Sequence, residues 1–409
     1  MRMAQEKHSF RRIASGALEQ LVNSGCTVLI SLEQTDGGSV AGTDRLEELR
    51  ALKLLGPLVK DLHRPNPIIY WSDLAACLGL TALGLYLSTP FPDTILQITN
   101  LQVAIPALAG IVVAGLALYR ASYFNHELSH QARQLPGFEI GWNLFIGIPL
   151  LIPSFLYYDH LNHHSVRGFG TDSDIEYFAP KQRGLRGAVT LVAVCAVLPL
   201  LYIARFSLLP PLAWLSPRIR TWVDTHASGL GVLGLSRRPP PTGDERFSWR
   251  TQEAACFVYL CVMGLLLLAG VTTVSSLLQF YAIMSVLLVF HAIRIMVGHR
   301  YESEGEPQDR IEQVLDSFNF PKYSLATSIL APLGFHLHAL HHLFPKIPYH
   351  NMPEAHRRIA AALPKDSFYH SVESDSYFRE VLRFLLRKDE AGAPKQPESR
   401  EQNLLAAKH

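Results

Sequence analysis

The sequence predicts an all-α integral membrane protein: four transmembrane helices, interfacial or re-entrant helices between them, and a cytosolic helical cap. Three observations predict it. Of 409 residues, 48% are hydrophobic and only 18% charged, against roughly 25% charged in an average soluble domain. Several apolar stretches approach the about 20 residues that cross a ~30 Å hydrocarbon layer. Arginines gather in one polar segment between those stretches, as they do in cytosolic loops. The formal net charge of +2 sets up no strong field, so nucleic acid is not an expected partner.

Residues 1–66 read as a cytosolic N-terminal region. Met1 to Phe10 is polar and lacks an apolar core, so no cleaved secretory signal is expected. From Thr43 to His63, Leu46, Leu49, Leu52, Leu54, Leu55 and Leu58 recur at helical spacing, with a start signal at Asp44 and Glu47 and a stop at Pro65 and Pro67. That amphipathic helix is either an ordinary soluble one or one lying on the membrane surface.

Residues 67–365 form the expected membrane domain. Ile68 to Ser88 and Leu101 to Tyr119 are apolar enough to span, and a short turn between them makes an antiparallel pair. Trp142 to Tyr158, with Gly147 and Pro153 inside it, lies between two histidine clusters that must share a compartment, so it reads as a helix buried in or along the interface. Ala188 to Leu215 is interrupted by Pro199, Arg205, Pro210 and Pro211 and reads as re-entrant or interfacial. Residues 216–252 are proline-rich and carry Arg218, Arg220, Arg237, Arg238, Arg246 and Arg250, which places them on the cytoplasmic side. Ala254 to Val297 is apolar with the single charge Arg294; its length fits two spans joined near Gly270 to Ser276. Residues 366–409 read as a polar cytosolic tail, partly disordered. An even number of spans keeps both termini and the histidine clusters in the cytoplasm. Cys26, Cys77, Cys195, Cys256 and Cys261 show no metal-clip spacing and read as small buried groups in a reducing context.

The chemistry is carried by histidine. Eight of the 18 histidines fall in three clusters: His126 and His130; His160, His163 and His164; His338, His341 and His342. Residues three and four apart share a helix face, so each cluster aims its imidazoles at one spot. Imidazoles at a bilayer boundary are costly to desolvate unless paired or ligated. One zinc ion takes three or four protein ligands, so eight imidazoles point to two metals that accept several nitrogens and keep a position open. Iron fits that description; geometry alone leaves copper and manganese open. The cap would hold this two-metal site.

The order H-x3-H, H-x2-H-H, H-x2-H-H, with spans before the first cluster and between the second and third, resembles the membrane fatty acid desaturase superfamily, the three-histidine-box di-iron enzymes. His342-Leu343-Phe344-Pro345, then Ile347-Pro348-Tyr349-His350, is similar to the segment trailing the third box in bacterial members, and Gly170-Thr171-Asp172 to the stretch after the second. The resemblance covers about residues 66 to 365. It implies a ninth ligand between the last span and the third box, where His299 sits, although a histidine capping a span is the plainer alternative. His291, inside the last span, reads as a core or tunnel residue. His336, His350 and His356 read as surface or supporting histidines. Glu127, Asp159, Asp172, Asp174 and Asp316 are candidates to accept hydrogen bonds from ligating imidazoles.

The resemblance further implies two iron ions, O2 as co-substrate and a lipid acyl chain as substrate, and hence an acyl desaturase. A hydroxylase or ketolase of the same superfamily, acting on a sphingolipid, carotenoid, alkane or other apolar metabolite, shares the histidine pattern. A metal transporter would need polar groups within the spans, which carry almost none. The chain has no haem, dinucleotide or iron–sulfur signature. A separate electron donor is therefore expected, a ferredoxin with its reductase or a haem protein, and the arginines from Arg218 to Arg250 serve either its docking or simple topology.

Overall fold

The computed structural model describes residues 53–89, 101–178, 184–229, 238–322 and 324–387. Five helices are long and apolar enough to cross a membrane: α1 (Pro67–Leu87), α2 (Leu101–Ser122), α3 (Gly184–Leu215), α4 (Gly243–Leu268) and α5 (Val274–Met296). The starts of α1 and α5 follow from local chemistry. The Asn66 side chain accepts from Ile68 N at 3.0 Å and Pro67 occupies the first turn of α1, where a missing N–H costs nothing. Thr273 caps α5 by accepting from Ser276 N, directly after the sharp turn at Gly270, whose φ is +70°.

Small residues bring α1, α2 and α5 together, as they do where lipid offers no hydrophobic driving force between helices. A Cβ added to Gly84 of α1 would lie 2.5 Å from the Gly110 carbonyl oxygen of α2, and one on Gly115 of α2 would lie 2.5 Å from the Val286 Cβ of α5. The outward faces keep exposed Leu80, Leu83, Ile105, Leu108, Val258, Leu265 and Leu278, side chains suited to a hydrocarbon solvent.

The segment from Ala188 to Leu215 differs from the expected broken one. α3 runs unbroken through Pro199, Pro210 and Pro211. Buried Arg205 is accommodated because its Nε donates to the Ala227 carbonyl at 2.5 Å and its Nη2 to Glu253 Oε2 at 2.7 Å. Along its length α3 touches the histidine end of the bundle. Ala188, Leu191 and Cys195 cluster with Phe169, Ala292 and Met296, whereas Tyr202 and Phe206 cluster with Phe155, Leu156 and Trp249.

Trp142 to Tyr158 is likewise not a single helix. A short helix (Phe138–Trp142) widens into one π-helical turn (Asn143–Gly147), and Ser154–Tyr157 forms a 3-10 turn. Pro149 and Pro153 supply no N–H. The Asn143 side chain replaces the missing ladder by accepting from Ser154 N at 2.9 Å and donating to Ser154 Oγ at 2.9 Å. Leu151 turns the chain at φ +57°, a strained value for a non-glycine residue.

The cap consists of short helices, chief among them Phe124–Gln131, His160–His163, Arg310–Leu315, His338–Leu343 and Met352–Ala362. Isolated bridges pair Asn319 with Leu337 and with Glu373. The leucine-rich helix before the first span docks into it: Leu55, Val59 and Leu62 are buried with Val314, Leu340, Leu343 and Ile359. Its first part, up to residue 52, lies outside the described residues. Residues 366–387, expected in the tail, are folded: Phe368 and Tyr369 join the cap, and Tyr377 and Phe384 of the helix Tyr377–Leu386 join the bundle cores. The rest of that tail lies outside the described residues.

Candidate metal centre

α2 ends at Ser122 and the chain resumes as Phe124–Gln131, which carries His126 and His130 four residues apart on one face. Trp142 Nε1 donates to the Ala121 carbonyl at 2.8 Å and fixes this junction. His299 follows three residues after the end of α5, and its backbone pairs with Ser317. Leu340 N of the third histidine helix donates to Asn319 Oδ1 at 3.1 Å.

The nine predicted histidines meet in two groups. His126, His130, His160, His164 and His341 each offer a nitrogen, and these nitrogens all lie within 4.8 Å of one another; His163, His299, His338 and His342 do the same. Seven of the nine are buried. The second cluster contributes to both groups, because adjacent His163 and His164 diverge, and so does the third, because His341 and His342 diverge.

Ring tautomers follow from the outer hydrogen bonds. His160 Nδ1–H donates to Glu176 Oε1 at 2.7 Å and His163 Nδ1–H to Asp174 Oδ2 at 2.8 Å. Ser317 Oγ donates to the Gln313 carbonyl at 2.7 Å, so at 3.0 Å it accepts from His299 Nδ1. His342 Nδ1 donates to Gln313 Oε1 at 3.3 Å. With Nδ1 protonated, Nε2 of these four rings carries a lone pair, and Nε2 atoms of the clusters converge. Nε2–Nε2 distances are 2.8 Å for His160–His164, 2.9 Å for His164–His341, 3.1 Å for His163–His299 and 3.0 Å for His299–His338.

In the His163–His299 contact two lone pairs face each other, and they repel unless a cation lies between them. Nitrogens about 2.1 Å from one ion and about 90° apart sit ~3 Å from each other, as these do. Both ring nitrogens of His126, Nε2 of His130 and Nε2 of His342 are buried without any hydrogen-bond partner among the described residues. That many orphaned imidazole nitrogens fit metal ligation and little else. Burial and the neighbouring imidazoles hold His160, His164, His338, His341 and His342 well below the usual histidine range, so the rings are neutral donors. For His163 burial acts the same way, but the Asp174 carboxylate outweighs it and raises the ring.

Of the five candidate carboxylates, Asp174 supports an imidazole directly, and Asp316 Oδ2 lies 3.6 Å from His299 Nδ1. Of the other three, Glu127 brings Oε1 within 3.9 Å of His126 Nδ1, and their hydrogen bonds go elsewhere. Glu127 accepts from the Tyr70 hydroxyl and from Tyr349 N, Asp159 pairs with Arg238 at 3.2 Å, and Asp172 is exposed. Glu176, Gln313 and Ser317 hold imidazoles and are not among the five. Glu176 stands two residues after Asp174 near the second cluster, a signal that could have found it; Gln313 and Ser317 carry no such mark.

His291 lines an apolar pocket beside His126. His350 Nε2 accepts from Asn66 N at 3.0 Å, and His356 bonds the Tyr369 hydroxyl at 2.8 Å. His336 lines a surface cleft with both. Several arginines expected on a docking surface are turned inward: Arg220 binds Glu253, Arg250 binds Asp224, and Arg238 binds Asp159. Arg294 has its guanidinium 3.7 Å from the centroid of Phe335, whose other neighbours include His126 at 4.4 Å.

Against known proteins, a sequence model of the family described as "Fatty acid desaturase" matches residues 102–373. A protein named "Ceramide hydroxylase" from Caulobacter vibrioides (strain NA1000 / CB15N) is 34% identical over 333 residues, covering 81% of this chain and 92% of that protein. No solved structure matches.

Proposed function

The chain belongs to the fatty acid desaturase family, and from that premise we propose that it hydroxylates a ceramide-like membrane lipid with O2 at a centre of two iron ions. It is an oxygen-using oxidoreductase of that family. The observation that carries the finer reading is the convergence of nine histidines into a group of five and a group of four in a chain similar to a ceramide hydroxylase over most of its length. That likeness favours hydroxylation over the desaturation that the histidine pattern alone also allows.

Two iron ions, when bound, supply the power to activate dioxygen and cleave an unactivated C–H bond, chemistry that no side chain offers. This chain's residues do the rest. His126, His130, His160, His164 and His341 would hold one ion, and His163, His299, His338 and His342 the other. Asp174, Glu176, Ser317 and Gln313 fix the imidazoles in the tautomer that presents Nε2 inward. The spans and cap exclude water, and the pocket walled by Leu150, Leu198, Met284 and Leu287 next to His126 orients a lipid chain. Electrons come from a separate redox protein on the cytoplasmic side, where the positive-inside rule puts the arginine-rich segment.

Purified iron-loaded protein in lipid nanodiscs, supplied with an electron donor, ceramide and isotopically heavy dioxygen, tests the reading. A product carrying one heavy oxygen is expected. A product that has instead lost two hydrogens makes the protein a desaturase, and unaltered ceramide removes the substrate assignment.

A further inference from the structure

The pocket beside His126 is walled largely by α2, α3 and α5 and is mostly apolar, with Tyr157 and Tyr202 also on its wall. Asn125, Tyr123 and His291 all line it. Asn125 is 4% exposed, and its Oδ1 accepts no hydrogen bond from any described residue. A buried acceptor without a donor carries a desolvation penalty, and here it stands next to the metal-facing imidazole of His126. Across the pocket, His291 Nδ1 and the Tyr123 hydroxyl bond each other at 2.8 Å. That contact orients the ring and leaves Nε2 of His291 without a partner among the described residues. Ser122, the remaining hydroxyl on this stretch of α2, donates to the Tyr119 carbonyl at 2.8 Å and is satisfied.

A pure hydrocarbon chain would satisfy neither Asn125 nor His291. A lipid bearing a hydroxyl or a secondary amide would satisfy both, since each offers a donor and an acceptor. Asn125 adjoins His126 in sequence, and Tyr123 lies one helical turn before it, so a polar group held there sits close to the metal centre. We propose that Asn125 and His291, with Tyr123 holding His291 in place, bind a hydroxyl or amide of the substrate. Oxidation then falls on a carbon near that polar group and not deep in the hydrocarbon tail. These residues determine specificity by orienting the lipid. The inference rests on the lipid hydroxylase reading and deepens it.

The test compares three probes: ceramide, the same ceramide lacking its secondary hydroxyl, and the same ceramide with its amide nitrogen methylated. Equilibrium binding to the iron-loaded, oxygen-free protein is measured first, so that the answer does not depend on turnover. The expected result is that at least one analogue binds about tenfold to a hundredfold more weakly than ceramide, the range for leaving a buried polar group unpaired. His291→Leu and Asn125→Leu, neither of them among the nine clustered histidines, should each shrink that ratio several-fold while iron content stays at the wild-type level. Tyr123→Phe should shrink it less, because the ring of His291 remains. Equal binding of all three probes by the wild-type protein overturns the inference, as does an unchanged ratio in both leucine variants. Turnover separates the two readings. Oxidised ceramide whose new hydroxyl maps by fragmentation to the methyl end of a chain sinks this inference and leaves the hydroxylase reading intact. Discriminating binding without any oxidation supports the polar site and sinks the hydroxylase reading.

Discussion

Asp174→Asn removes a charge without removing shape, and its effect can be worked from the contacts. Asp174 is 2% exposed. One carboxylate oxygen accepts from His163 Nδ1 at 2.8 Å and from Gly170 N at 3.0 Å; the other accepts from Glu176 N at 3.1 Å. An asparagine keeps one acceptor oxygen. If that oxygen stays with His163 and Gly170, the new NH2 faces the Glu176 N–H, donor against donor. A buried amide left in that state costs about 1–3 kcal/mol. The imidazole also loses an anionic partner, and such losses weaken metal affinity about tenfold to a hundredfold, or ~1.4–2.8 kcal/mol. The assay is a chelator titration of iron-loaded protein in detergent, following released iron. Asp174→Asn should release iron from the four-histidine group at about tenfold to a hundredfold lower chelator concentration. Asp172→Asn, an exposed position two residues away, should titrate like the wild type. Identical midpoints for all three proteins would refute the claim that Asp174 tunes His163.

Replacing His163 or His341 by alanine should abolish turnover while the protein still accumulates in membranes; full activity in both variants, measured by lipid mass spectrometry, would remove them from the metal centre. Glu253→Leu should strand the buried guanidinium of Arg205, bound to Glu253 at 2.7 Å, and leave Arg220 with Asp224 alone. Breaking a buried pair costs about 3–5 kcal/mol, so the thermal midpoint of detergent-purified protein should fall by several degrees, and an unmoved midpoint would contradict the role given to this triad. Gly115→Leu places a side chain where Val286 already lies 2.5 Å away and should cost about 1–3 kcal/mol or more. Because α2 leads to His126 and α5 to His299, iron content should fall along with thermal stability; wild-type iron content would uncouple helix packing from the site.

The spans α1, α2, α4 and α5 were legible because hydrocarbon solvent demands long apolar runs, and their limits follow from Asn66, Pro67, Gly270 and Thr273. The histidine clusters were legible for a similar local reason: spacing of three and four encodes convergence on a helix face. What failed was decided by partners distant in sequence. Arg205 and the prolines argued against a continuous α3, but Glu253 and the Ala227 carbonyl lie 48 and 22 residues away. Asn143 reshapes the chain up to Ser154 through a side-chain bond that no periodicity reports. Glu127 keeps one oxygen 3.9 Å from His126 Nδ1, while Tyr70 and Tyr349, far off in sequence, engage the other. Gln313 and Ser317 are uncharged and remote from any cluster, so only the fold brings them to His342 and His299. The docked helix Tyr377–Leu386 was readable in principle, since Tyr377, Val381 and Phe384 recur at helical spacing; its many charges hid that pattern.

The most direct test of the central claim is an iron count per chain by elemental mass spectrometry on protein purified from iron-supplemented cells, beside a variant that disables each histidine group. Two iron ions per wild-type chain are expected, falling to one when His126 and His341 are both replaced by alanine and to one when His299 and His338 are. A wild-type chain holding a single metal ion, or a loss of both ions from only one of the two double variants with none from the other, would contradict a centre built from two separate histidine groups.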